Sequence, residues 1–142
     1  MWRRRFALGA VAAWAGVSLA RLTRLVEPPT PPPGEEGAPV FGFFKAQVPA
    51  DAGYLFVLPG EFGADTGLGP RLRYELYPRV YDDVRASQDE AFVRTLMSSE
   101  RLRFIVVPDA TQYSPGHWLR STPAWLRRID FDANRYVLEV VP

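Results

Sequence analysis

The sequence contains no cysteine and a single histidine, His117. The absence of cysteine excludes disulfide bonds, thiolate nucleophiles and metal sites built from cysteine. One histidine with no histidine or cysteine nearby makes a poor zinc site, because zinc needs several such ligands together. We therefore predict that the protein holds no metal and no other cofactor.

Lysine is almost absent, since Lys45 is its one occurrence against 16 arginines. Five of the arginines lie in the first 26 residues. From residue 28 onward, eleven arginines and one lysine face fifteen acidic residues, which is a formal charge of −3. Proteins that bind nucleic acid need a basic surface to displace counterions from phosphates. This charge balance therefore argues against a nucleic-acid partner.

The N-terminus combines positive charge with an apolar run. Residues 3–5 are all arginine, and residues 6–20 are uncharged and mostly apolar. Those 15 residues fall short of the roughly 20 that span a bilayer, so the run fits a signal peptide cleaved after Ala20. Extended to residue 26, it gives a 21-residue helix whose two further arginines can snorkel to the far interface. We predict the retained anchor, and cleavage is the alternative.

The arginine distribution also predicts orientation and compartment. Three arginines and the terminal amine precede the apolar run and two arginines follow it, so the positive-inside rule keeps the N-terminus in the cytoplasm. Residues 27–39 form a linker in which frequent proline favours extended polyproline geometry. The remaining residues, 40–142, suffice for one hydrophobic core. The sequence thus predicts a single-pass anchor in a bacterial cell membrane with one extracytoplasmic domain, or a secreted or periplasmic domain after cleavage.

Within the domain, short apolar runs alternate with amphipathic stretches. The runs 54–58 and 104–107 lack alternation, which is typical of strands covered on both faces. A helix is predicted over 39–48, and two C-terminal strands are predicted on either side of a turn at 132–134. This order predicts a small three-layer α/β domain with a mostly parallel central sheet and a C-terminal antiparallel hairpin.

Capping residues predict two further helix starts. Ser87 and Glu90 have the spacing of a capping box, in which each side chain bonds the other residue's main-chain N–H. Thr122, followed by proline, has the pattern of a second helix start. A short helix over 71–77 and a short strand over 79–81 complete the predicted elements.

Three stretches of the domain carry a resemblance to a known family. They read V-P-A-D-A-G-Y-L-F-V (48–57), R-Y-E-L-Y-P-R (73–79) and R-F-I-V-V-P (103–108). With the closing strands, most of residues 40–142 resembles the soluble extracytoplasmic segments of bacterial multi-spanning membrane glycosyltransferases. In such enzymes the catalytic acidic residues lie in membrane-embedded loops, for which this chain has no further hydrophobic span. The resemblance implies an accessory domain without the catalytic part, whose partner is a multi-spanning membrane protein or an envelope glycan.

Ligands of open α/β sheets bind beyond the carboxyl ends of the strands, which here means the loops 59–70 and 108–117. Polar side chains in these loops support an alternative function, a small glycan-active or metal-dependent enzyme that uses acidic residues and His117. Polar residues also fill loop ends in α/β domains of any function, so we predict a non-enzymatic interaction domain first. The side chains concerned are Glu61, Asp65, Asp109, Gln112, Tyr113 and His117.

The segment 71–81 combines tyrosine and arginine, the residue types that dominate protein interfaces. Tyr74, Tyr77 and Arg79 are therefore candidate binding residues, together with Asp109 and His117 in the later loop. We expect Tyr77 and Arg79 on the surface. The alternative is that this segment serves the scaffold, with its leucines covering the sheet and its arginines solvated. No catalytic residue is assigned.

Overall fold

The computed structural model describes residues 39–59 and 68–142. The predicted anchor or signal segment and nearly all of the linker lie outside the described residues, as do Glu61 and Asp65. Among the helices in the described ranges, none combines the length and apolar character that crossing a membrane requires.

Helices and strands alternate through the domain, as the sequence predicts. In chain order they are α1 (Pro39–Gln47), β1 (Gly53–Leu58), α2 (Leu68–Leu76), β2 (Tyr81–Arg85), α3 (Glu90–Ser99), β3 (Leu102–Val107), a 3₁₀ helix (Ala110–Gln112), α4 (Trp118–Ser121), β4 (Leu126–Asp130) and β5 (Tyr136–Val140).

The strands form one five-stranded sheet in the order β2-β1-β3-β5-β4. β1 pairs in parallel with β2 and β3, whereas β5 pairs antiparallel with β3 and β4. The α/β class is thereby confirmed. Two of the four pairings are antiparallel, so the sheet is mixed rather than mostly parallel by its pairings.

The hydrophobic core lies on both faces of the sheet, because successive side chains of a strand point to opposite faces. Tyr54 and Phe56 of β1 pack with helices α1 and α2, where Phe44 is completely buried. Leu55 and Val57 of the same strand pack on the opposite face, with the apolar side of α3. This double burial explains why β1 and β3 read as unbroken apolar runs.

The predicted capping box at the start of α3 is wrong. The helix begins at Glu90, and its N-cap is Asp89, whose carboxylate accepts the Phe92 N–H at 2.7 Å. Ser87 is exposed and lies before the cap. The carboxylate of Glu90 instead accepts the indole N–H of Trp125 at 2.7 Å, so it supports tertiary packing rather than a cap.

The predicted helix start at Thr122 is also wrong. Thr122 ends α4, and its φ of 50° places it in the left-handed region that stops a helix. The chain then turns, with the Leu126 N–H bonded to the Pro123 carbonyl at 2.9 Å, and enters β4. The reason is tertiary, because residues 126–130 pair along their whole length with β5.

Two shorter elements differ from prediction at their ends. α2 begins at Leu68, three residues before the predicted start, and β2 begins at Tyr81, where the predicted strand was to end. Within the described residues, β2 is an edge strand that pairs only with β1, and most of its side chains are partly exposed. Its period-2 apolar signal is correspondingly weak.

Candidate functional site

The carboxyl end of β3 and the turn between β4 and β5 lie at the same edge of the sheet. β5 runs antiparallel to β3, and Val107 at the end of β3 pairs with Tyr136 at the start of β5. The Ala110 N–H donates to the Asn134 carbonyl at 2.7 Å, which joins the loop after β3 to the hairpin turn. The topology therefore brings together two segments that are more than twenty residues apart in sequence.

An open cleft of about 650 Å³ lies between these segments and the first turn of α1. This volume falls within the range of ~300–1,000 Å³ that is usual for small-molecule sites. Polar side chains of both segments and apolar side chains of α1 share the lining. The lining residues are Val40, Phe41, Pro108, Asp109, Gln112 and the turn residues Asp132, Ala133, Asn134 and Arg135.

Asp109, a predicted binding residue, lies in the cleft as the N-cap of the 3₁₀ helix. One carboxylate oxygen accepts the main-chain N–H of Thr111 at 3.0 Å and its hydroxyl at 2.6 Å. The other accepts the side-chain amide of Gln112 at 3.2 Å. Burial alone would raise the pKa of Asp109, but these hydrogen bonds and the charge of Arg135 outweigh it and lower the pKa. Asp109 is therefore ionised at neutral pH.

The hairpin turn contributes four further lining residues, and hydrogen bonds to Asp132 hold two of them in place. One oxygen of Asp132 accepts the main-chain N–H groups of Asn134 and Arg135, both at 2.9 Å, and the other accepts Nε of Arg135 at 2.6 Å. The side-chain and main-chain hydrogen bonds to Asp132 lower the pKa of its carboxyl group. The Arg135 guanidinium also lies 4.9 Å from the centre of the Phe131 ring. The turn is thus held by its own side chains before any ligand arrives.

Two amide side chains in the cleft differ in their hydrogen bonding. Nε2 of Gln112 is bonded to Asp109, whereas its Oε1 is buried and has no hydrogen-bond partner among the described residues. The side chain of Asn134 is exposed, and within the same ranges its amide has no partner. Asn134 therefore offers a donor and an acceptor to a ligand without breaking a contact of the fold.

Within the described residues, His117 does not line the cleft. It is the N-cap of α4, where Nδ1 accepts the Leu119 N–H at 3.2 Å. Nε2 lies 2.9 Å from the Ala86 carbonyl, which only accepts, so the ring donates there. The ring also packs against Tyr113 and Trp118. Both nitrogens are thus engaged in holding α4 against the end of β2.

Tyr113, another polar residue of the predicted loop, lies in the core. Its hydroxyl donates to the Val57 carbonyl at 2.5 Å, and burial raises the pKa of Tyr113 above its usual range. Its neutral hydroxyl thereby ties the loop after β3 to β1. Among the polar loop residues predicted together, the structure brings Asp109 and Gln112 to the cleft and places Tyr113 and His117 elsewhere.

The predicted contact residues of α2 lie beyond the cleft lining. Tyr74 is half-buried, and Tyr77 is 42% exposed just after the end of α2. Arg79 is partly buried, and its guanidinium donates to three main-chain carbonyls: Val48 at 2.6 Å, Lys45 at 2.9 Å and Leu76 at 3.3 Å. These carbonyls lie at the C-terminal ends of α1 and α2, where cationic side chains stabilise helices.

Arg79 therefore connects two helix ends, which is a structural role. Tyr77, in contrast, presents its ring to solvent. A contact surface in this segment remains a prediction, and its accessible member is Tyr77.

The sequence reasoning missed the turn residues of the cleft, Asp132, Asn134 and Arg135. It recognised the segment only as a turn. No local signal marks these residues as part of a cleft. They reach it through tertiary pairing, because the second strand of the C-terminal hairpin pairs antiparallel with β3 and therefore begins at the carboxyl end of β3. The turn before it then reaches the edge where ligands of α/β sheets bind.

Within the described ranges, no group of three or more histidine, cysteine or acidic side chains is placed to hold a metal ion. Asp109 and Asp132 share the cleft, but both direct their oxygens to internal donors. The arrangement offers prearranged hydrogen-bonding groups beside apolar side chains, which is what binding of a small ligand requires.

Comparison with known proteins adds no family. No protein-family model matches the chain, and neither does any curated protein or solved structure. A function for this chain is therefore inferred from its own residues.

Proposed function

We propose that this chain is a membrane-tethered extracytoplasmic accessory domain that binds a partner and performs no catalysis. The partner is a multi-spanning membrane protein or a glycan of the cell envelope. The proposal joins two kinds of support, the polar cleft of the domain and the composition of the N-terminal segment.

The observation that carries the binding role is the engagement of Asp109 and His117. A general base needs a lone pair within hydrogen-bonding reach of a substrate. The Nδ1 lone pair of His117 is occupied by the Leu119 N–H, and the Asp109 carboxylate already accepts three hydrogen bonds. A small enzyme that used His117 as its base would have to break a contact of the fold, whereas Asp109 keeps one lone-pair site for a hydrogen bond to a ligand.

The tether rests on the sequence. Three arginines ahead of an apolar run, and a proline-rich linker after it, are typical of a domain exported on an N-terminal anchor. The resemblance of the domain to extracytoplasmic segments of glycosyltransferases suggests the envelope as its place of action.

Reporter fusions test the tether on the full chain. Alkaline phosphatase fused to the C-terminus is active only outside the cytoplasm, and we expect an active fusion in the membrane fraction. Replacing residues 3–5 with glutamine leaves the two later arginines as the dominant charge, so phosphatase activity should fall. An inactive wild-type fusion would contradict the proposal. Mass spectrometry of the mature protein separates anchor from signal, because an N-terminus at Arg21 indicates cleavage.

A turnover assay distinguishes the binding role from the enzymatic alternative. Envelope glycan fragments are incubated with the full chain and with Asp109→Asn, and products are followed by mass spectrometry. The proposal expects no turnover by either protein. Turnover by the wild type that Asp109→Asn abolishes would replace it with the small enzyme.

A further inference from the structure

We infer that the cleft binds a neutral saccharide, which it holds between the hairpin turn and the first turn of α1. This inference rests on the proposed function, because it names the chemical class that the binding domain takes up. Three features of the cleft lead to it: the charge balance, the unused hydrogen-bonding groups and the apolar wall.

The charges of the cleft disfavour anions. Asp132 and Arg135 form an ion pair, so each largely neutralises the other. Asp109 remains ionised and repels phosphates and carboxylates. The positive charge of Arg135 also acts on Asp109 and partly offsets it. A neutral ligand avoids the repulsion that an anion meets, and a cation is the competing ligand, which the ethylammonium probe below tests.

The unused polar groups match hydroxyl groups. A hydroxyl both donates and accepts, as does the exposed amide of Asn134. The Arg135 guanidinium turns Nε and Nη2 toward Asp132, which leaves its Nη1 donors without a partner within the described ranges. A carboxylate has about four lone-pair sites, and Asp109 has used three of them. The cleft thus combines donors and an acceptor that can serve neighbouring hydroxyls.

The remaining wall is apolar. Val40 and Phe41 from α1 and Pro108 after the end of β3 also line the cleft. A sugar ring has the same division, with C–H groups on its faces and hydroxyls around its rim. An apolar wall beside a few placed polar groups is also the usual composition of a small-molecule site.

The cleft needs little rearrangement to bind. Asp132 fixes the turn through its bonds to Asn134 and Arg135, and the Ala110–Asn134 bond fixes the turn against the loop after β3. Because these groups are already ordered, binding loses little conformational entropy. This favours measurable affinity for a ligand as small as a disaccharide.

NMR titration of the ¹⁵N-labelled full chain tests the inference. The protein is kept in a zwitterionic detergent, because detergents with sugar headgroups would compete for the cleft, and chitobiose is the probe. We expect saturable shifts, with a dissociation constant in the millimolar range, in the Asn134 side-chain amide and the main-chain amides of 132–135. Asn134→Ala should weaken binding about fivefold, which corresponds to one neutral hydrogen bond. Gln47→Ala, the matched loss of an amide at the far end of α1, should leave the affinity unchanged.

The same spectra show whether each variant is folded, and Asn134→Gly, which also lacks the amide, replaces the alanine variant if that variant is not. No saturable shift with chitobiose, or equal affinity in the Asn134 variants, would overturn the inference. Tighter binding of inorganic phosphate or ethylammonium than of chitobiose would also overturn it, because it would assign a charged ligand to the cleft. The reporter fusions decide the tether independently, so failure of one proposal is distinguishable from failure of the other.

Discussion

Replacing Arg79 with alanine removes three hydrogen bonds that end two helices. Nε of Arg79 donates to the carbonyl of Val48, one Nη to that of Lys45 and the other to that of Leu76. The last carbonyls of a helix have no intrahelical donor, so they must bond to side chains or water. In the alanine variant, water has to replace a cation that serves the C-terminal ends of α1 and α2 together.

The magnitude follows from these contacts. A buried hydrogen bond from a charged donor contributes ~1.5–3 kcal/mol, and a cation near a helix C-terminus adds ~0.3–1 kcal/mol. The bond to Lys45 is exposed and the other two are only partly buried, so water recovers much of the loss. We expect Arg79→Ala to lower the free energy of unfolding by about 2–3 kcal/mol. For a domain of this size, that corresponds to a fall in Tm of about 10–20 °C.

Urea and thermal unfolding of the full chain, followed by far-UV circular dichroism, measure this change. Arg79→Lys should fall between wild type and alanine, because lysine keeps the charge but loses the planar fork that reaches three carbonyls. Arg85→Ala is the matched control, since Arg85 is exposed and makes no side-chain hydrogen bond within the described ranges. It should stay within ~0.5 kcal/mol of wild type.

A loss below about 0.5 kcal/mol for Arg79→Ala would refute this reasoning, because the three bonds would then make no net contribution.

The predicted contact surface is tested separately with Tyr77→Ala. Tyr77 is 42% exposed, so its truncation should leave stability nearly unchanged. Weaker partner binding in that variant would support the contact surface. Unchanged binding would indicate that the segment has a structural role only.

Two buried tyrosines should differ in their response to loss of the hydroxyl. Tyr113→Phe removes a hydrogen bond to the Val57 carbonyl and should lower the free energy of unfolding by about 1 kcal/mol. Tyr54→Phe removes a buried hydroxyl that has no partner among the described residues, so it should be neutral or stabilising. Equal losses of stability in urea unfolding would contradict this. Asp109→Asn tests the lowered pKa of Asp109, because the ionised form stabilises the fold above pH about 4 and this contribution is lost as the pH falls toward the folded-state pKa. The difference in unfolding free energy between wild type and Asp109→Asn should therefore shrink between neutral pH and pH about 3, and a difference that grows on acidification would disprove the assignment.

Much of the fold follows from local patterns. The runs at β1 and β3 predict buried strands because short, unbroken apolar runs are typical of strands covered on both faces. α1 was predicted within one residue of its end, since its apolar spacing and flanking prolines act locally. The turn at 132–134 was also recognised locally, because aspartate and asparagine are typical turn residues.

The local patterns gave wrong predictions at two helix starts. Ser87 and Asp89 both have side chains that can cap α3, and Asp89 is the N-cap in the structure. A capping box with Ser87 would need the Glu90 carboxylate, which instead accepts a hydrogen bond from Trp125, 35 residues away. Thr122 followed by proline matches a helix start, but pairing with β5 makes the following residues a strand. In both cases a distant partner outweighed a local preference worth about 1 kcal/mol.

The amino-acid sequence by itself determined the class of the domain, its buried strands, and the acidic balance that argues against nucleic acid. Tertiary structure alone decided which polar residues meet. Asp109 and His117 lie eight residues apart, yet Asp109 lines the cleft while His117 caps α4. Arg79, a candidate contact residue, also donates hydrogen bonds at the ends of two helices. The cleft itself exists because β5 returns antiparallel to β3 and carries its turn to the carboxyl edge of the sheet. Strand direction is a property of pairing between distant segments, and for that reason no local pattern contains it.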